Sequence, residues 1–412
     1  MKCDVLILGG GSAGLAAAVA AARVGAQAVL VERHGALGGM ATAALVHSVC
    51  GLYFLREEPG AVLAHRGLPG EVAERLICAG ASRGPVRMGR MDVLPHSPPG
   101  FAAVADVLAA ECAETRLHTE LVAVEGAGRI EAVELICRGV RTRIEPRAVV
   151  DASGDAVLCQ LAGARTEQTP TEHLQRPAFI FALHTVEVAA LGDDARIRLA
   201  GIIAEAVRAG RLERGALGAQ FRASGRGSEV YVTVDLAGPA DYDPTSPQHL
   251  SALEREGRRL AVALHHFLCA EYAPFAQAEL SAFPARVGVR ESRRVVGEAT
   301  VTAADVQRGT ETPDMVALGT WPMELREKAT GPRWRFPDGL RPTQIPLGAL
   351  KVRGVENLWV AGRCISCEHE AQAALRVIGT CMATGQAAGV AAALQTHSAA
   401  EVRAKIETEV QR

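Results

Sequence analysis

The run Gly9-Gly10-Gly11-Ser12-Ala13-Gly14 follows directly on the apolar stretch DVLIL, Asp4 to Leu8, and opens an Ala-rich segment. It is G-x-G-x-x-G in its required context, after a strand and at the head of a helix. Gly9 permits the tight turn, Gly11 lets backbone approach a pyrophosphate, and Gly14 lets helix pack closely on strand. The helix N-terminus adds unpaired N–H groups and partial positive charge for phosphates. A second apolar run, Ala28 to Val31, ends at Glu32. A carboxylate there accepts hydrogen bonds from ribose hydroxyls and repels a 2′-phosphate. Strand, turn, helix and acid in this register predict a dinucleotide site and outweigh a mere Gly-rich turn.

A second glycine pair stands in Gly38-Gly39-Met40-Ala41-Thr42, soon after the acid. NAD does not need it; a larger, extended dinucleotide would run along such a segment. Far downstream come Ala148-Val149-Val150-Asp151-Ala152-Ser153-Gly154-Asp155 and Val360-Ala361-Gly362-Arg363. Both end in small residues, as where backbone passes a flat or phosphorylated group.

Around these signals lie 412 residues, enough for two structural domains or one large one at about 150 residues each. The chain is 49% hydrophobic and 22% charged, which is ordinary globular usage. Its net charge of −2, from 44 basic and 46 acidic residues, removes the usual reason to expect nucleic acid or an anionic membrane as partner. Only Lys2, Lys328, Lys351 and Lys405 are lysines, and the many arginines are dispersed. No apolar window reaches the roughly 18 residues that a membrane helix needs. The first residues look superficially like a secretory signal, but Asp4 and four glycines interrupt the run. Ten cysteines, from Cys3 to Cys381, show no disulfide-framework spacing, so a reduced, cytoplasmic setting is expected.

Short strands are expected at Leu121 to Val124, Ile130 to Ile136 and Arg147 to Asp151. A different texture starts near Arg165 and runs to about Pro284, with two long helical patterns and a strand candidate at Glu229 to Asp235. The second helix repeats its apolar positions at Leu250, Leu253, Gly257, Leu260, Leu264 and Phe267. A Pro/Gly-rich stretch, a strand at Leu358 to Ala361 and a small-residue helix from about Gln372 to Leu394 close the chain. The fold class expected is α/β: a Rossmann-type dinucleotide domain split in sequence, 1–165 and 285–412, around an inserted α+β cap, 166–284.

The segments GGGSAGLAAA, VERHGALGGMAT, VVDASGDAVLCQLAGA, VGVRESRRVVGEATVTAADV, ENLWVAGRCIS and LRVIGTCMATGQAAGVAAAL, taken in order, resemble FAD-dependent oxidoreductases of the glutathione-reductase-like superfold. The resemblance extends distantly to fumarate reductase flavoprotein subunits and to the flavin subunit of heterodisulfide reductase. It covers residues 1–50, about 100–165 and about 285–395, and the middle block is not diagnostic. It implies that Gly9, Gly11, Ser12, Ala13 and Gly14 hold the FAD pyrophosphate, and Glu32 the adenosine ribose with Arg33 beside it. Gly38, Gly39, Met40 and Thr42 would run along the ribityl, and Val122 would meet the adenine by backbone. Ala152, Ser153 and Gly154 would line the adenosine half, Gly362 and Arg363 the ribityl phosphate. The segment from Arg376 through Ile378 to Thr380 would lie near the isoalloxazine. The iron–sulfur cysteine clusters of heterodisulfide reductase are absent, and the His-plus-Arg pattern of fumarate reductases is not identifiable, so neither activity transfers.

Four residues are candidates for chemistry. Arg290, in Arg290-Glu291-Ser292-Arg293-Arg294, is either an ion-paired strand-edge residue or a clamp for a substrate carboxylate. Arg376 is the only charged residue between Glu370 and Glu401, so it must be paired or functional: it stabilises reduced-flavin charge or binds substrate. His369, between Glu368 and Glu370, is a surface histidine or a general base. His47 is either structural or close enough to meet, even attach to, the flavin. Cys364-Ile-Ser-Cys367 has the spacing of a redox dithiol, although a cysteine at 364 is common in the resembling family. No metal site is expected.

The expected activity is hydride transfer between a small organic substrate and non-covalently bound FAD. The alternatives are an NAD(P)H-dependent flavin monooxygenase or halogenase and, in another class, a non-catalytic electron-transfer or assembly subunit. Expected partners are a small-molecule substrate, without nucleic acid or membrane, and a second copy of the chain or a redox partner protein.

Overall fold

A computed structural model describes residues 1–410 except 225, 329 and 330. The strand Lys2–Leu8 lies inside a seven-stranded sheet, between Ala28–Val31 and Val140–Asp151, parallel to both. Parallel strands covered on both faces read as unbroken apolar runs, which is why DVLIL and AVLV show no alternation. Glu114–Arg116 extends the sheet beyond Ala28–Val31, and Leu358–Val360 pairs with the end of Val140–Asp151. Ala132–Cys137 and Glu120–Glu125 add an antiparallel wing. Gly9, Ala152 and Ala361 thus emerge from neighbouring strand ends at one edge of the sheet, where α/β folds place ligands.

The Ala-rich helix Ser12–Arg23 covers this sheet beside the helix Ile378–Leu394. A β-carbon on Gly385 or Gly389 would run into the carbonyl oxygen of Ala13 or Ala17. Small residues therefore let the two helices meet backbone to backbone. The single helix expected from about Gln372 to Leu394 is in fact two, His369–Leu375 and Ile378–Leu394, bent by 95°. Val377 is extended, with ψ of 153°. An apolar pattern does not reveal such a break, because both helices are buried nearly all round. Among the described residues no single helix is long and apolar enough to cross a membrane.

A second sheet has its own core. Its order is Gln220–Ala223, Val230–Asp235, Ala178–His184, Glu279–Ala282, all antiparallel. Alternation along Ala178–His184 sends Phe179, Phe181 and Leu183 toward the helices Asp193–Arg208 and Pro247–Glu271. The longer helix buries Leu253, Gly257, Leu260, Leu264 and Phe267, with Gly257 seated against the Phe179 ring. The opposite face, Ala178, Ile180, Ala182 and Tyr231, packs on Leu45 and Val46. Residues 51–100, whose structure the sequence left unread, supply the helix Leu68–Cys78 and the strands Met91–Pro95 and Val86–Met88, which form a small sheet with Ser48–Val49.

Candidate active site

One cleft of about 770 Å³ runs from the glycine turn to the underside of the second sheet. At the turn, Gly9 has φ of +98°, and a β-carbon there would lie 2.6 Å from the Ala152 carbonyl oxygen. Gly14 sits under the Gly9 carbonyl with no room for a side chain, whereas the space beside Gly11 is open as far as Gly39. Gly9 and Gly14 therefore shape the turn, and Gly11 leaves the gap. The helix Ser12–Arg23 has no side-chain cap, so its first N–H groups are available to an anion.

Glu32 is buried at the end of its strand. Its carboxylate accepts from Gly10 N at 2.7 Å and His34 N at 2.8 Å, bracing the turn. Each oxygen retains lone-pair capacity for a ribose hydroxyl. Arg33, Arg286 and Arg363 gather around Asp155, with Arg363 Nη2 2.5 Å and Arg33 Nη2 4.0 Å from its carboxylate. Arg286 Nη2 lies 3.7 Å from where a β-carbon on Gly39 would stand, beside the Gly11–Gly39 gap. Burial, reinforced by Arg363 and Arg33, pushes the Arg286 guanidinium down to about 10, and its Nε has no hydrogen-bond partner among the described residues. Three guanidiniums around a single aspartate, at a bare helix N-terminus, fit a pyrophosphate. Arg286 was missed in the sequence; no local motif marks it.

Most residues expected to hold the cofactor line this end: Gly9, Gly11, Ser12, Ala13, Glu32, Arg33, Gly39, Met40, Ala152, Ser153, Gly154, Gly362, Arg363 and, further along, Ile378. Gly38 and Thr42 lie just behind, the Thr42 hydroxyl donating to Leu37 O at 2.8 Å. Val122 does not line the cleft; Thr119, Glu120 and Leu121 do, so only the head of the strand Glu120–Glu125 reaches it.

The other end is roofed by Ile180 and Thr233, register partners in the second sheet, and floored by Val377 and Ile378. Its wall holds an ionic chain. Asp235 pairs with Arg290 at 2.7 Å and with Arg326 at 2.8 Å, and Arg326 Nε donates to Glu324 Oε1 at 2.6 Å. Trp321 Nε1 donates to the other Glu324 oxygen at 3.1 Å. Burial raises the Glu324 carboxyl, but Arg326, Arg376 and Arg290 outweigh it and hold Glu324 below its ordinary value. Arg376, at the helix break, donates to Gln175 Oε1 at 3.1 Å and Glu324 O at 3.2 Å, and burial lowers it to about 10.

Of the four candidates for chemistry, Arg376, Arg290 and His47 line the cleft. Arg290 is closed off by Asp235 and by Arg176 O at 2.5 Å, which matches the ion-paired alternative. His47 stacks on Tyr231 at 4.3 Å, and Nδ1 lies 3.1 Å from Leu45 O, so Nδ1 carries the proton. Burial pushes this imidazole down to about 3. His369 does not line the cleft: its Nδ1 lies 2.9 Å from both Glu291 oxygens, and its Nε2 3.4 Å from Glu327. The loop position that suggested a base instead serves an ion-pair cluster. Cys364 and Cys367 are free and buried, and burial raises both thiols, Cys367 to about 12. Among the described residues no group of three or more His, Cys, Asp or Glu is placed to hold a metal ion.

No match is found among curated protein sequences. Solved structures are similar. CabE, an aromatic hydroxylase from angucycline biosynthesis, aligns at 14% identity with a TM-score of 0.50, over 99% of this chain and 65% of that one. OxyS anhydrotetracycline hydroxylase from Streptomyces rimosus gives 13% and 0.49, over 100% and 66%. A geranylgeranyl bacteriochlorophyll reductase-like protein from Thermoplasma acidophilum gives 12% and 0.47, over 100% and 81%. The chain thus spans about two thirds of each hydroxylase, and at 14% identity the likeness to CabE is one of fold. The family described as FAD dependent oxidoreductase matches residues 4–412. The chain belongs to that family, an FAD-dependent oxidoreductase whose cofactor, FAD, fits the cleft built at the glycine turn.

Proposed function

We propose that this enzyme exchanges a hydride between FAD and a small organic substrate bound beneath the second sheet. The observation that carries the reading is the continuity of the cleft: dinucleotide-binding residues line one end, and a roofed chamber of apolar and charged side chains forms the other. FAD, when bound, supplies the two-electron chemistry. The chain's own groups orient the substrate and exclude water. Ile180, Thr233, Val377 and Ile378 enclose the chamber, where charged groups act more strongly than in water. His47, kept neutral by burial, works as a hydrogen-bond acceptor through Nε2 and not as a store of protons. In this reading residues 166–284 act as the substrate-side cap on a cofactor domain formed by 1–165 and 285–412.

An oxygen-using monooxygenase or halogenase is the second reading, in line with the fold shared with CabE. An anaerobic visible spectrum separates the two. The preferred reading expects a yellow protein that stays oxidised with NADH or NADPH and bleaches with an organic substrate. Bleaching by nicotinamide, followed by oxygen uptake, favours the second. A protein that stays colourless after incubation with FAD overturns both.

A further inference from the structure

The substrate end carries more positive charge than its own carboxylates answer. Arg290 and Arg326 together occupy Asp235, and Arg326 and Trp321 occupy the two oxygens of Glu324. Arg376 is left with neutral acceptors, the Gln175 side-chain oxygen and the Glu324 carbonyl. Arg222 hangs from the roof strand Gln220–Ala223 into the same cleft. Among the described residues it has no carboxylate within salt-bridge distance; its hydrogen bond is to the Met88 sulfur at 3.4 Å. Met88, which Arg222 reaches, packs in one apolar cluster with Cys50, Trp321 and Val377, the neighbour of Arg376, so the two guanidiniums border one part of the chamber. A half-buried guanidinium facing a thioether, beside a second one satisfied only by neutral oxygens, leaves a place for an anion.

Next to that place the wall is apolar and aromatic. Trp321 and Trp334 meet edge to face with centroids 5.9 Å apart, and Met88 and Met91 line the cleft beside them. We propose that the substrate is an organic carboxylate with an apolar body, its carboxylate bound by Arg222 and Arg376 and its body laid along Trp321 and Trp334. The proposal deepens the hydride-transfer reading and rests on it for the use made of the site. It also moves the clamp expected at Arg290, which Asp235 already occupies, to Arg222. Guanidinium is suited to this task because its planar fork matches two carboxylate oxygens at once.

The test titrates the FAD-loaded protein with benzoate, phenylacetate and cinnamate, and with the three corresponding amides. Binding is read by tryptophan fluorescence, since Trp321 and Trp334 line the cleft, and flavin content by visible absorbance. At least one acid is expected to bind, and its amide to bind about tenfold more weakly or worse. Arg222→Gln should raise the Kd of that acid by about ten- to a hundredfold while leaving flavin content unchanged, and Arg222→Lys should fall between. Amides that bind as well as acids, no response to any acid, or an unchanged Kd in Arg222→Gln would overturn the proposal. If Arg222→Gln does not fold, a Kd for Arg222→Lys equal to that of the parent protein overturns it equally. A yellow protein that ignores all acids sinks this inference alone. Acids that quench fluorescence in a protein unable to retain FAD would support the anion site and sink the flavin reading instead.

Discussion

Gly389 rests against the carbonyl of Ala17 with no space for a β-carbon, and Gly385 repeats the arrangement against Ala13 one turn earlier. This contact fixes the helix that follows Arg376 against the helix that heads the glycine turn, so it sets the distance between the two ends of the cleft. Gly389→Val is expected to cost about 1–3 kcal/mol of stability through overpacking. It should also reduce the flavin-to-protein absorbance ratio. Gly201, exposed on the helix Asp193–Arg208 with open space around it, is the control. There Gly201→Ala should stabilise by about 0.5–1 kcal/mol, because it removes only backbone entropy. Urea midpoints that moved equally for both changes would refute the packing argument.

Arg376 sits at the break before the helix Ile378–Leu394 and faces the cleft, with no carboxylate within salt-bridge distance among the described residues. Its charge should favour the anionic reduced form of bound flavin. Arg376→Gln is therefore expected to lower the two-electron midpoint potential by about 30 mV, equivalent to about 1.4 kcal/mol. A redox titration of the two proteins decides it, and an unchanged potential would leave Arg376 to substrate binding alone.

The His369–Glu291 pair gives stability a defined pH window. Burial pushes His369 down, but the Glu291 carboxylate and then Glu327 more than offset it, leaving the imidazole above its ordinary value. Burial raises Glu291, while His369 and Arg294 hold it below its ordinary range. A histidine whose folded pKa is raised contributes fully below its unfolded value, about 6.5, and loses that contribution as pH rises through the folded value. The depressed carboxyl contributes above its unfolded value, about 4.3, and loses it as pH falls through the folded one. The stability difference between the parent protein and His369→Gln should therefore peak between about pH 4.3 and 6.5 and shrink on either side. Urea unfolding at several pH values checks this; a difference that grows toward pH 9 would contradict it.

Thiol labelling should separate the cysteines by burial. Cys78 is exposed, whereas Cys364, Cys367 and Cys381 are buried with thiols raised by burial. One rapid phase is expected in the folded protein, lost in Cys78→Ser, with Cys364 and Cys367 reacting only on unfolding. A count at 364 and 367 that rises after treatment with reductant would restore the dithiol that their spacing suggested.

The dinucleotide end was legible in the sequence because its requirements are local. A turn with positive φ at Gly9, a bare helix start and an acid at the end of the next strand all fall within the first 32 residues. The opposite end was not, because it is assembled across the chain. Arg222, Arg326 and Arg376 come from a roof strand, a loop and a helix break, and no spacing joins them. Arg290 was noticed for the density of charge around it, yet its partner Asp235 lies 55 residues away on the second sheet. The helix break at Val377 was invisible for the opposite reason: small apolar residues continue on both sides of it.

The cleft's floor and roof are written in separate stretches of the chain. Groups at the cofactor end come chiefly from residues 9–40, 152–154 and 362–363, while Ile180, Arg222 and Thr233 descend from the second sheet. Selection can therefore retune what is recognised without disturbing what carries the electrons. A library confined to Ile180, Arg222 and Thr233 would explore new substrates on a constant redox engine, much as a lathe accepts different work while its drive stays the same.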